Sequence, residues 1–379
     1  MFGLFATEAI EHSRPLASRV PCVVAFLWIF QPSCHAEGVE DEAVRIIVNR
    51  SQSLEKRARA FSRILELPTD NRRTALSTVA VEGPEDFAFT ALIQLIRDPG
   101  WEGEFYLTSV LSWSSFLKEG ILRELNNHRS SEESTKKACA IARNVVSGEL
   151  LQVDGRQNAC IGGISASFLA QHCEKEDITL LETAVKRNPN CVALWLSIAH
   201  RNECTPVATE MAATVWKDEQ SDPVLRAAAA VASRTEEGAS YAVEAIEKFL
   251  AMYAGAPIED IVTRPGGSTT PSARRVEFMD DLRFLGMLKF LGDRGKELAL
   301  AHLQSRNADV RHVCGLVLAT QWPEALSMSD FEVRYASEYL KYKEVASAII
   351  SDGHRNRRIM MRLGDELFGS GVINALYGW

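Results

Sequence analysis

Four cysteines in the middle of the chain form two pairs with the same spacing. Cys160 and Cys173 enclose as many residues as Cys191 and Cys204 do, so the second pair repeats the first further along the chain. Thiol groups can hold a metal ion, form disulfides, or pack as small apolar side chains in a core. The sequence leaves these three interpretations open.

Helix geometry limits which of these cysteines can meet. If both segments are helical, a step of thirteen residues separates the members of a pair by about 20 Å along the axis and roughly 140° around it. Cysteines of the same helix therefore cannot share a zinc ion or a disulfide. Contacts between stacked helices could join Cys160 to Cys191 and Cys173 to Cys204, if the facing helices pack closely.

A metal site in this region would need histidine as well. His172 directly precedes Cys173, and His200 lies four residues before Cys204, on the same face of a helix. Imidazole and thiolate are the ligands that zinc prefers. These four residues are the candidate metal ligands, although we predict no resident cofactor.

Motifs that carry known catalytic chemistry are absent from the sequence. It contains no glycine-rich nucleotide-binding pattern, no phosphate-binding Gly-x-x-x-x-Gly-Lys and no His-Glu-x-x-His. His302 and His312 flank a turn and are expected to be turn or surface residues. We therefore predict no catalytic residues and a protein that is not an enzyme.

One basic cluster lies near the C-terminus and could bind anions: Arg355, Arg357, Arg358 and Arg362. Aromatic side chains of the kind that stack on bases do not alternate with these arginines. The formal net charge of the chain is −8, which also argues against a surface that coats nucleic acid. A solvated helix face is the expected role, and we expect no nucleic-acid partner.

The elements that must position these residues are predicted to be helices throughout. Strand-like alternation of polar and apolar residues is absent, whereas apolar residues at 278, 282, 285 and 288 recur at the spacing of one helix face. Glu133 follows Ser130 by three residues, and Glu332 follows Ser329 likewise, which is the spacing of a capping box. These patterns predict an all-α fold.

Two segments share a plan that suggests a repeat. Residues 222–233 and 307–319 each begin with a polar turn, continue with valine and arginine, and end in a helix of small apolar residues. They resemble the HEAT family, whose turn reads roughly Asp-x-x-Val-Arg before a second helix. Residues 296–319 look like one whole helix–turn–helix unit, and residues 178–199 look like another, with Ala193 in place of the arginine.

The resemblance implies an α-solenoid, in which antiparallel helix pairs stack into a superhelix. The step from Asn188-Pro189 to Asp222-Pro223 is also similar to the period of tetratricopeptide repeats, the alternative family. Both families imply the same architecture, because a short helix pair buries its apolar face only against neighbouring pairs. The convincing resemblance covers 175–235 and 295–320.

The predicted organisation has four parts. Residues 1–36 are predicted to be a signal peptide, because Arg14 and Arg19 precede a short apolar run at Val20–Phe30. A helical-repeat array is predicted at 37–253, followed by a loop rich in Gly, Pro, Ser and Thr at 254–275. Further helical repeats and a cap are predicted at 276–379. We predict export to the periplasm or the exterior, without a transmembrane span; the alternative is a cytoplasmic protein with a buried first helix.

The function that this architecture implies is binding. Solenoids present extended concave faces to other proteins, so we predict a non-enzymatic scaffold with a protein partner whose identity the sequence does not give. The alternatives are a metal-dependent protein or enzyme with a Cys/His site around 172–204, and an anion or nucleic-acid binder that uses the arginines at 355–362. The loop at 254–275 is either a binding loop or an insertion.

Overall fold

The computed structural model describes residues 39–98, 100, 107–128, 131–148, 162–172, 174, 176–201, 205–255, 278, 281–327 and 335–352. Within these ranges the secondary structure consists of helices and the turns between them, with no strand. The protein is therefore all-α, as predicted. Over the same residues, no helix is both long and apolar enough to cross a membrane.

The α-helices, numbered along the chain, are α1 Val39–Val48, α2 Leu54–Leu65, α3 Thr69–Glu82, α4 Glu85–Arg97, α5 Leu107–Val110, α6 Ser115–His128, α7 Glu132–Ser147, α8 Gly163–His172, α9 Asp177–Arg187, α10 Val192–His200, α11 Pro206–Lys217, α12 Pro223–Ser233, α13 Glu236–Tyr253, α14 Arg283–Gly286, α15 Gly292–Ala301, α16 Ala308–Gln321 and α17 Ala336–Asp352. Short 3₁₀ turns lie at Met287–Phe290 and Pro323–Ala325.

The chain divides into two compact units, and α4 runs through the boundary between Ala91 and Leu92. In the first unit α1 packs on α2 and α3. The ring of Phe61 lies 5.8 Å from that of Phe87, and the guanidinium of Arg57 lies over the Phe87 ring. The first unit thus contains an aromatic pair with a cation over one ring face.

In the second unit, helix pairs pack side by side. Helix α8 packs on α10 and α10 on α12, while α9 packs on α10 and α11 on α12. Ala227, Ala228, Ala229 and Ala230 of α12 are fully buried, because side chains this small let neighbouring helices approach closely. The arrangement is compatible with a helical repeat. The predicted units at 178–199 and 296–319 are helix–turn–helix segments, formed by α9–α10 and α15–α16.

Two arginines tie successive helices of this stack together. Arg201 follows α10 and donates to the carbonyl oxygens of Ala170 and Glu174, at 3.5 and 3.3 Å. Arg234 follows α12 and donates to the carbonyl oxygen of Ala199, at 3.1 Å. Each guanidinium therefore donates to carbonyl oxygens at the C-terminal end of the preceding helix in the stack. These oxygens lack a hydrogen-bond donor within their own helix. The step from the first arginine to the second is close to the predicted repeat period.

The two turns that carry the HEAT resemblance begin their helices in the same way. Asp222 caps α12 by accepting from the backbone N–H groups of residues 224 and 225, and Asn307 caps α16 by accepting from those of residues 309 and 310. In both segments an arginine stands four residues after the cap. The two segments that share a sequence pattern therefore also share the same capped helix start.

The contacts of these two arginines also correspond. Arg226 donates to the carbonyl of Trp216 at 3.0 Å and lies over the Tyr241 ring. Arg311 donates to the carbonyl of Ser305 at 2.6 Å and lies over the Tyr335 ring, 3.9 Å from its centroid. Each arginine therefore ties the chain before its own helix to a tyrosine that comes after it.

The contact between α16 and α17 is built around a buried tyrosine. Tyr342 is fully buried, and its hydroxyl lies 2.8 Å from Nδ1 of His312. The expectation that His312 is a turn or surface residue was therefore wrong, because this side chain is buried inside α16. Arg311 makes a bidentate ion pair with Glu338 of α17, with N–O distances of 2.8 and 2.9 Å. Gly315 faces the Tyr342 ring, and a Cβ at this position would stand 2.4 Å from its Cζ. The absence of a side chain at Gly315 is what allows α17 to pack here.

One predicted helix start differs from the structure by one residue. The N-cap of α7 is Ser131, whose side chain accepts from the N–H of Ser134, so the predicted cap at Ser130 was wrong by one residue. The capping pattern at Ser329 lies outside the described residues.

The segment rich in Gly and Pro lies outside the described residues from 256 onward, but its flanks are described. The ring of Phe278 lies 5.0 Å from that of Tyr253, the last residue of α13. The hydroxyl of Ser305 donates to the carbonyl of Ala254 at 2.7 Å, and the amide of Asn307 donates to that of Tyr253 at 3.2 Å. The residues on the two sides of the segment are therefore in contact with each other.

Candidate functional site

The histidines proposed as metal ligands pack against aromatic rings. The ring of His172 lies 4.6 Å from Phe168 on the same helix, and the ring of His200 meets Phe290 edge-on at 5.1 Å. Cys173 and Cys204 lie outside the described residues. Among the residues that the structure describes, no three His, Cys, Asp or Glu side chains are grouped so as to hold a metal ion.

Two of the described cysteines are oxidised. Cys139 of α7 and Cys191, at the start of α10, each form a disulfide, and both are buried. The Sγ of Cys139 lies 4.0 Å from the carbonyl oxygen of His172. Cys314 is a free thiol that is completely buried, and this burial raises its pKa to about 12. Such a thiol is protonated and unreactive at neutral pH.

A buried carboxylate positions the first turn of α8. Glu119 of α6 accepts a hydrogen bond from the backbone N–H of Ser165 at 3.0 Å, and also interacts with the N–H groups of Gly162 and Ile164. Burial of this side chain raises the pKa of Glu119. The carboxylate supplies the acceptor that the orphan donors of the helix start require, since the glycines there offer none.

An open cleft of about 530 Å³ lies where several helices of the second unit end. It is lined by residues at the ends of α10 and α12, in the first turn of α13, in the 3₁₀ turn at Met287–Phe290 and at the end of α16. Because α10 packs on α12, and both contact the 3₁₀ turn, stacking alone brings these ends together. The cleft therefore depends on the register of the stacked helices.

Half of the described residues that line the cleft are apolar, and the other half are polar or charged. Arg234, Lys289 and His200 reach it from three different elements, and Glu236 brings the one acidic group among its described lining residues. The ammonium of Lys289 lies 4.9 Å from the centroid of the Phe290 ring. The cleft thus combines positive charge with an apolar surface.

Arg234 has an unusual backbone. Its φ and ψ of 53° and 24° place it in the left-handed region, the one non-glycine residue with positive φ in the described part of the chain. This conformation costs an arginine about 1 kcal/mol. It ends α12 at once, and the side chain then lies between the carbonyl of Ala199 and the cleft. A strained residue held by its surroundings is common at binding sites.

A second cleft of about 440 Å³ lies in the first unit, between α1 and α3. Glu40, Asp41 and Glu82 line it, together with Arg45. The amide of Asn71 donates to the carboxylate of Glu40. This cleft is mainly acidic, and Glu40 and Asp41 lie in the first turn of α1, where the helix dipole favours negative charge.

The sequence analysis did not select Arg234 or Lys289. Neither belongs to a motif, and each is ordinary in its own segment. The available signal was the recurrence of an arginine, at Arg201 and Arg234, directly behind two apolar helices. The arginines at 355–362 and the segment 256–275 lie outside the described residues, so these predictions remain predictions.

In comparisons with known proteins, no protein-family model, no curated protein and no solved structure matches the chain.

Proposed function

We propose that the protein is a non-enzymatic helical-repeat scaffold that binds another protein. The observation that carries this proposal is the cleft at the ends of α10 and α12, because it is open to solvent and built by the stacking itself. A cleft of about 530 Å³ accommodates a few side chains of a partner rather than a whole domain. Stacked helical repeats supply the rigid support that such recognition needs.

Within the helical-repeat class, the HEAT-like arrangement is the better supported. Arg226 and Arg311 occupy the arginine position of that family and make corresponding contacts, each with a preceding carbonyl and a following tyrosine. We propose a solenoid of such units, in which the arginines connect one repeat to the next. The tetratricopeptide alternative has no comparable pair of residues in the described segments.

Photo-crosslinking tests the binding function directly. A photoactivatable amino acid is placed at Ala239 or at Gln321, which line the cleft, and as a control at Glu219, an exposed turn residue outside it. In the cells that make the protein, we expect one protein to be crosslinked from both cleft positions but not from the control. The adduct should weaken when Lys289→Glu is added. Absence of an adduct, or equal adducts from Glu219, refutes the proposal.

We further propose that the protein is exported. The support is chemical: Cys139 and Cys191 form disulfides, which persist in oxidising compartments and are rare in a reducing cytosol. The predicted signal at 1–36, which lies outside the described residues, would supply the route. Intact mass of the purified protein tests this proposal, because export predicts loss of the leader and retention of the disulfides without added oxidant.

Disulfide mapping adds the pairing. We expect Cys139 to be linked to Cys173, because the Sγ of Cys139 lies beside the carbonyl of the preceding residue, His172. We expect Cys191 to be linked to Cys160, since Gly163 at the start of α8 lies against Ala193, two residues after Cys191. This pattern competes with the Cys173–Cys204 pair predicted from the sequence, and digestion without reductant distinguishes the two. Free thiols at Cys139 and Cys191 in the native protein would remove the support for export.

A further inference from the structure

We propose that the protein carries an N-linked glycan on Asn49. The inference rests on the proposed export, because this sugar is added in the oxidising lumen of a secretory pathway. Asn49-Arg50-Ser51 is the one Asn-x-Ser/Thr segment of the sequence, and its middle residue is not proline, so it fits the acceptor pattern for this modification. The segment follows the predicted signal at 1–36, so the exported chain retains it.

The acceptor segment lies in an exposed turn between α1 and α2. The side chains of Asn49, Arg50 and Ser51 are all exposed. The backbone N–H of Gln52 donates to the carbonyl of Asn49 at 3.1 Å, which closes a β-turn with the other two residues at its centre. Helix α1 has ended here, and α2 begins only at Leu54. A large hydrophilic group can therefore extend into solvent from this turn without displacing either helix.

The side chains of the turn leave the reacting nitrogen accessible. Oδ1 of Asn49 accepts a hydrogen bond from the backbone N–H of Ser51 at 3.0 Å and another from its hydroxyl at 2.7 Å. A backbone N–H can only donate, so the amide oxygen faces Ser51 and the amide nitrogen, Nδ2, points away from it. Within the described part of the chain, no residue accepts a hydrogen bond from this Nδ2. The atom that would carry the sugar is therefore open to solvent.

The hydroxyl of Ser51 has a chemical role in the transfer. Its hydrogen bond to Oδ1 stabilises negative charge on the amide oxygen, so the Nδ2 protons of Asn49 become more acidic. Nδ2 then forms a bond to C1 of the sugar, while the bond from C1 to the diphosphate of a lipid-linked oligosaccharide breaks. The lipid diphosphate leaves with the electron pair, and one Nδ2 proton passes to a base of the transferase. Both hydrogen bonds to Oδ1 join residues two apart in the chain, so the turn can form before the protein folds.

The surroundings of Asn49 also suit a sugar. Asn49 lines the cleft between α1 and α3, together with Glu40, Asp41 and Glu82. A glycan on Asn49 would begin at this cleft, where its hydroxyl groups can donate to the carboxylates. The first unit thus offers both space and polar partners to the sugar that is attached first.

The test is mass spectrometry of peptides from the full-length protein, purified from the cells that make it, before and after treatment with peptide N-glycosidase. We expect glycan mass on Asn49 of the wild type, and aspartate at this position after the treatment. Asn49→Gln and Ser51→Ala should abolish the glycan, whereas Ser51→Thr should retain it, because threonine keeps the hydroxyl. Ser53→Ala is the matched control, since it makes the same change two residues later, outside the acceptor pattern, and should leave the glycan in place.

The intact mass separates failure of this inference from failure of export. If the protein has lost its leader and formed its disulfides while Asn49 is unmodified, export stands and the glycan is refuted. A chain that keeps its leader and has free thiols at Cys139 and Cys191 would refute export and the glycan together. Glycan mass that persists in Asn49→Gln would also overturn the inference, because the sugar would then be attached elsewhere. Crosslinking from Ala239 and Gln321 tests the binding function independently of all these results.

Discussion

Replacement of Gly315 by alanine is the sharpest test of how α16 and α17 pack. The added Cβ would lie 2.4 Å from Cζ and 2.5 Å from Cε2 of Tyr342, whereas non-bonded carbon atoms prefer about 3.5 Å or more. The ring cannot swing away freely, because Tyr342 is fully buried and its hydroxyl is bonded to His312. One element must therefore move by about 1 Å.

The magnitude follows from three opposing effects. Alanine gains about 1 kcal/mol over glycine in the interior of a helix. Overpacking a well-filled core costs about 1–3 kcal/mol. Displacing the Tyr342 hydroxyl from Nδ1 of His312 costs about another 1 kcal/mol. The two costs exceed the gain, so we expect Gly315→Ala to lower the free energy of unfolding by about 2 kcal/mol and the melting temperature by about 3 °C.

Urea and thermal unfolding, followed by circular dichroism, measure this loss. Gly255→Ala is the control, because no atom lies within 4 Å of the position its Cβ would take, and we expect little change. Tyr342→Leu should also destabilise the protein, but less in the Gly315→Ala background than alone, since the smaller side chain relieves the clash. Unchanged or increased stability of Gly315→Ala, or strict additivity with Tyr342→Leu, would show that the packing argument is wrong.

Three further predictions concern groups elsewhere in the described structure. Burial, with Arg311 and Lys341 nearby, lowers the pKa of His312 from 6.5 to about 3, so the unfolded chain takes up its proton first as the pH falls. The contribution of neutral His312 to the free energy of unfolding is complete above pH 6.5 and should be lost as the pH falls toward 3. Between pH 7 and 4.5, the free energy of unfolding of the wild type should fall by about 2 kcal/mol more than that of His312→Gln, as urea titrations would measure. The buried thiol of Cys314 should resist iodoacetamide in the native protein and react with it after unfolding. Mass spectrometry would detect the added group, and rapid labelling of the native protein would contradict the burial of this thiol. Replacing 256–277 by a four-residue Gly/Ser linker should change the melting temperature by about 2 °C at most, because Tyr253 and Phe278 on the two sides of the segment are already in contact. A larger fall in the melting temperature would mean that the segment contributes packing to this unit.

The positions where helices begin were largely readable in the sequence. Asp222 and Asn307 accept hydrogen bonds from N–H groups two and three residues ahead, so the cap and the helix it begins are encoded in one short segment. The error at Ser130 has the same origin, since Ser131 offers the same side chain one residue later. Local patterns of this kind also identified the units at 178–199 and 296–319.

The sequence did not predict which distant residues these side chains contact. Arg311 stands in a recognisable motif, but its ion pair with Glu338 of α17 depends on how two helices cross. The disulfides show the same limit: the equal spacing of four cysteines drew attention to them, while Cys139, outside that pattern, proved to be oxidised. Spacing along the chain says which cysteines share a helix face, but not which helix lies opposite.

By itself, the sequence determined that this protein is made of helices, where several of them begin, and that some of them recur with a common plan. These features depend on contacts within about four residues, which periodicity and capping residues specify. Only the tertiary structure decided that Arg234, Lys289 and His200 line one cleft, and that Gly315 makes room for Tyr342. Such contacts join residues that are distant in the chain, and their geometry exists only once the helices have packed.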